Sequence, residues 1–92
     1  MTTTTRIELI TQRLNTALSP MELEVTDESH LHKGHAGARD GRGHFRVRIV
    51  SDRFSGLRSL ARHRLVYDAV GDLMQSDIHA LEVTALAPQE PR

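Results

Sequence analysis

His44-Phe45-Arg46-Val47-Arg48-Ile49 puts an apolar residue at every second position, with His44, Arg46 and Arg48 between them. Successive side chains of a strand point to opposite faces, so this alternation predicts a strand with one buried face and one polar face. Met21-Glu22-Leu23-Glu24-Val25-Thr26 repeats the pattern, with Met21, Leu23 and Val25 on one side. The two stretches read as antiparallel neighbours. Upstream, in residues 6–18, Ile7, Ile10, Leu14, Ala17 and Leu18 recur at three- and four-residue spacing, the stripe of an amphipathic helix. Ser19-Pro20 stops it, because proline disfavours helical geometry in the residue before it.

Downstream, past Phe54 and Gly56, a helical stretch carries Leu65, Val66, Ala69, Val70, Leu73 and Met74 on one arc. Leu57 and Leu60 fall off that arc, so the stretch is read as a short helix followed by a longer one. A last strand over residues 78–86 carries Leu81, Val83 and Ala85 on one face, and parity places His79 on the same side. Pro88 and Pro91 end the ordered structure. The expected fold is α+β: a single domain in the order α-β-β-α-α-β, with helices on one face of a three-stranded sheet. Residues 1–5 and 88–92 are read as flexible tails around a domain over 6–87.

At 92 residues and 10.3 kDa the chain holds one small core. It has no apolar run near the roughly 20 residues of a spanning helix, and its first residues lack the pattern of a secretory signal. A cytoplasmic protein is expected. The chain has no cysteine, so it can supply neither a thiolate ligand nor a cysteine nucleophile. Twelve basic residues balance twelve acidic ones, which withholds the general attraction to phosphate that most nucleic-acid binders use. The six histidines are the excess, and imidazole is a common metal ligand. Three of them, His30, His32 and His35, lie in a Gly-rich, charged stretch between the first two strands, which reads as a long functional loop.

Leu23-Glu24-Val25 leading to Asp27-Glu28-Ser29, then His44-Phe45-Arg46-Val47, Val50-Ser51-Asp52-Arg53-Phe54-Ser55-Gly56, Arg62-His63-Arg64-Leu65-Val66 and Ile78-His79-Ala80-Leu81 together resemble the successive signatures of BolA proteins. The resemblance covers about residues 7–87. It implies a fold like a class II KH domain without the Gly-x-x-Gly loop that clamps RNA. It also implies a partner rather than an enzyme: a monothiol glutaredoxin of the Cys-Gly-Phe-Ser type. The pair would share a 2Fe–2S cluster in cluster trafficking or iron signalling. On this resemblance the partner's cysteine and glutathione supply thiolates, His79 is the constant ligand, and His35 is the second. His32 and His30 are alternates for the second place. Arg62, His63 and Arg64 are candidate partner contacts, and the chain alone is expected to be a monomer.

Each of these residues also has a plain structural reading. His79 could be a partly buried histidine bonded to backbone, and His35 a solvated loop residue. His30-x-His32 with His35 could bind zinc or nickel alone, a weak pattern without a fourth ligand. Arg62 could pack its stem while His63 bonds a neighbouring loop, and Phe54 reads as a core anchor. A second function also follows from the resemblance: a DNA-binding regulator with the helix bearing Arg58, Arg62 and Arg64 against the duplex. No nucleophile elbow, phosphate loop or His-Glu-x-x-His motif points to catalysis.

Overall fold

Leu23 faces Ile49 and Val25 faces Val47 in antiparallel register, so the two alternating stretches pair as their pattern predicts. The computed structural model describes residues 3–29 and 41–91; His30, His32 and His35 lie outside them. Within those residues the order is α1 (Thr3–Leu18), β1 (Glu22–Asp27), β2 (Gly43–Val50), a short 3-10 turn (Asp52–Phe54), α2 (Ser59–Val70), α3 (Leu73–Ser76) and β3 (Ile78–Leu86). The sheet order is β1-β2-β3, and β3 runs parallel to β2. Ile10, Leu14 and Leu18 of α1 and Val66 and Val70 of α2 close one core with Phe45, Val47, Ile49, Phe54 and Leu81. The other face of the sheet is charged: Arg46 reaches Glu28 at 3.2 Å and Glu82 at 3.6 Å, and Arg48 reaches Glu22 at 3.0 Å. No helix among the described residues is long and apolar enough to cross a membrane.

Two local expectations need correction. The helical stretch divides after Val70, not between Leu60 and Leu65, and the longer piece comes first. Leu60 lies on the same helix as Leu65 and is simply exposed, at 63%. The break falls at Gly71, whose φ of 51° and ψ of −123° suit a residue without Cβ. Within residues 88–92, expected to be a flexible tail, Glu90 folds back on the domain. The Glu90 amide donates to the Ala87 carbonyl at 3.1 Å, and the Glu90 carboxylate accepts from the Ala87 amide at 2.8 Å.

The Arg62 guanidinium fastens that turn. It donates to both carboxylate oxygens of Glu90 at 2.5 and 2.7 Å, and to the carbonyls of Leu57 at 2.8 Å and Ala85 at 3.1 Å. Charge-assisted pairing of this two-pronged kind is the strong form of an ion pair. It holds the Glu90 carboxyl down at about 2. Tyr67 donates to the Leu81 carbonyl at 3.1 Å, so two carbonyls of β3 accept from side chains of α2.

Candidate functional site

The first turn of β3 breaks the alternation on which the orientation of His79 depends. Gly43 pairs with Ile78, but the next residue, His44, pairs with Ala80, so His79 is the additional residue of a β-bulge. An extra residue shifts the phase of every side chain before it. Ile78 therefore takes the inward position, fully buried, and His79 is exposed rather than sharing the covered face with Leu81.

A side chain at Gly43 would crowd its neighbours. A Cβ there would stand 2.7 Å from Cε2 and 2.9 Å from Cζ of Phe45, and 3.0 Å from Oγ of Ser29. The Gly43 amide donates to the Asp77 carbonyl at 2.9 Å, tying β2 to the residue before β3. The side chain of Asp77 is fixed in turn by the Ser76 hydroxyl at 2.7 Å and the Arg6 guanidinium at 3.2 Å. Those two donors hold its carboxyl below the usual carboxylate range.

Two imidazoles meet at this end of the sheet. The rings of His44 and His79 lie 5.1 Å apart, tilted by 50°. The polar-face position expected for His44 places it beside His79, and there it is covered to 8% exposure, with both ring nitrogens shielded from solvent. On the other side of His79, Nη2 of Arg42 lies 3.2 Å from Nδ1, while Nη1 of Arg42 donates to the Met74 carbonyl of α3 at 3.2 Å.

The described ends of the segment carrying His30, His32 and His35 arrive at the same place. The His44 amide donates to Ser29 Oγ at 3.0 Å, the Glu28 amide donates to the His44 carbonyl at 2.7 Å, and Gly41 precedes Arg42. A pocket of about 180 Å³ lies alongside, lined by Glu28, His44, Phe45, Ala80, Leu81 and Glu82. It is smaller than the roughly 300 Å³ at which small-molecule sites begin. Among the described residues no three or more His, Cys, Asp or Glu side chains gather to hold a metal ion.

The candidate contacts Arg62, His63 and Arg64 separate. Arg64 is exposed and His63 half-buried, but the Arg62 side chain is 12% exposed and spends its donors inside the domain. His35, His32 and His30 lie outside the described residues. Sequence reading passed over Arg42, Gly43 and Glu90. The expectation that the chain lacks a Gly-x-x-Gly string is corrected by the sequence itself: Gly34-His35-Ala36-Gly37 has that spacing, and it likewise lies outside the described residues.

The model of the BolA-like protein family matches residues 14–90. The chain belongs to the BolA-like family. It is 46% identical over 86 residues to SufE-like protein 1 of Arabidopsis thaliana, covering 88% of this chain but 23% of that protein. It is 43% identical over 74 residues to the DNA-binding transcriptional regulator BolA of Escherichia coli, covering 80% of this chain and 68% of that one. Against BOLA1 of Arabidopsis thaliana it is 38% identical, covering 92% of this chain and 55% of the relative, so the chain spans only part of some relatives' length. The solved BolA domain of SufE1 from Arabidopsis thaliana superposes with a TM-score of 0.83 at 43% identity, covering 94% of this chain and 95% of that one. The relatives' names are those of regulators, of BolA-like proteins and of a chloroplastic or mitochondrial SufE-like protein.

Proposed function

We propose that this BolA-like chain pairs with a monothiol glutaredoxin of the Cys-Gly-Phe-Ser type and lends His79 to a 2Fe–2S cluster shared between the two proteins. The bulge at the start of β3 is the observation that carries this reading. It turns an imidazole out of the core at the point where the ends of the His-rich segment meet the sheet. One exposed imidazole, with a second from His35 or its alternates His32 and His30, is half of a donor set. The chain has no cysteine to complete it. The partner's cysteine and glutathione would supply the thiolates. Imidazole in place of thiolate lowers the negative charge around the cluster and raises its reduction potential. It also makes the site labile to acid, because a protonated imidazole cannot ligate. Such a cluster suits transfer or sensing better than permanent storage.

Mixing the protein with a monothiol glutaredoxin, iron, sulfide and glutathione is expected to give a visible spectrum unlike that of the glutaredoxin alone. His79→Ala should abolish the difference while changing stability by no more than about 0.5 kcal/mol, as an exposed substitution does. An unaltered spectrum with that variant would sink the ligand assignment.

The name of the Escherichia coli relative favours a second reading, binding of duplex DNA through α2. Arg58 and Arg64 are exposed there, but Arg62 is engaged with Glu90, which leaves a weak cationic face. A promoter fragment shifted near 50 mM salt and released by Arg58→Ala with Arg64→Ala would support it, and no shift at that salt would end it.

A further inference from the structure

We infer that Arg42 guards His79, holding the imidazole in a form that iron can take only after the guanidinium is displaced. This role presupposes the ligation by His79 proposed above. A guanidinium has five N–H donors and no acceptor, and it stays protonated in proteins. In the 3.2 Å contact between Arg42 Nη2 and His79 Nδ1, the hydrogen therefore belongs to Arg42 and the lone pair to Nδ1. In a neutral imidazole the ring proton then sits on Nε2. One nitrogen has its lone pair engaged and the other carries a proton.

Iron can reach the ring by two routes. Binding at Nδ1 leaves the Nε2 proton in place and takes the lone pair away from Arg42. Binding at Nε2 moves that proton to Nδ1, where Nδ1–H would face the N–H groups of Arg42, donor against donor. A metal-bound histidine ordinarily gives its second N–H to a carboxylate, a carbonyl or water. Arg42 can play none of those parts. Both routes require the Arg42–His79 contact to open.

The geometry also gives that opening a pivot. Arg42 Nη1 donates to the Met74 carbonyl, so the side chain can release His79 and remain attached to α3. The imidazole it holds is exposed, so the contact can open without unpacking the core. Once released, the cation would remain near any cluster held by His79, and the negative charge of thiolate ligands there would favour the opened arrangement.

Long-range proton–nitrogen correlation of the His79 ring in the unmixed protein, at a pH where the ring is neutral, should show a bare Nδ1 and a protonated Nε2. Arg42→Met should give a mixture of tautomers. It should also take up the cluster from loaded glutaredoxin about three- to tenfold faster, the factor of one hydrogen bond. Arg42→Lys, which keeps a donor, should stay close to the native rate. A protonated Nδ1 in the native protein, or no gain in rate with Arg42→Met, overturns the guard. His79→Ala in the same assay separates the two ideas. If it loses the cluster while Arg42→Met behaves as native, the guard alone is wrong. If it takes up the cluster like the native protein, ligand assignment and guard fall together.

Discussion

At each end of the sheet an arginine ties a helix to the strands, and the two are held in opposite ways. Arg62 grips a carboxylate with two prongs and two carbonyls besides, nearly out of contact with water. Around it Ser51 is fully buried, donating from Oγ to the Leu18 carbonyl at 2.6 Å and accepting from the Arg53 amide at 3.1 Å. Arg42, at the other end, is partly exposed and reaches the His79 imidazole and the Met74 carbonyl. A guanidinium clamped on a carboxylate fixes structure, whereas one resting on an imidazole can be exchanged for another partner of that ring. The motif read as a partner contact thus contributes its first arginine to the closed end, and the histidine of interest lies at the open end.

The contrast can be broken from either side. Phe54→Ala, at the closed end, empties a fully buried aromatic site and should cost about 3–5 kcal/mol, a large part of a small domain's stability. Urea unfolding would measure it, and a loss below about 1 kcal/mol would mean that this end is not the anchor. At the open end Gly43→Ala forces a Cβ against the Phe45 ring, an overpacking worth about 1–3 kcal/mol. Its sharper signature should be a shifted His79 ring resonance, because the bulge must move. An unmoved His79 signal would show that the bulge does not need glycine.

The smallest effect concerns acid. The carboxyl of Glu90 ordinarily titrates near 4.5 and is held at about 2 in the fold. Its contribution is therefore complete above about 4.5 and is lost as pH falls toward 2. The midpoint of thermal unfolding should fall over that window, and Glu90→Gln should flatten part of the fall. An unchanged slope in the variant would assign the acid sensitivity elsewhere, with Asp77, whose carboxyl is also held low, the next residue to test.

Strand and helix identities were legible because each rests on a period within one segment. Leu23 and Val25, Val47 and Ile49, and Ile10, Leu14 and Leu18 need no knowledge of what they face. The orientation of His79 was not legible in this way. A bulge is a mismatch between two strands, and parity counted along β3 alone aimed the ring into the core. The Ile78-His79-Ala80-Leu81 motif drew attention to His79, and the cross-strand register supplied its direction. Arg62 and Glu90 stand 28 residues apart with no spacing rule between them. Leu60 misled in the opposite sense: an exposed leucine on a continuous helix resembles a break when every leucine is assumed to be buried.

The engagement of the Leu81 and Ala85 carbonyls by Tyr67 and Arg62 bears on association as well as folding. An open strand edge is a template for any further strand, from another copy of the chain as readily as from a ligand. With the Leu81 and Ala85 carbonyls already accepting from α2, a further strand added to β3 would find two of its acceptors taken. The helix that completes the core thus also spends acceptors that a neighbouring copy of the chain would otherwise use.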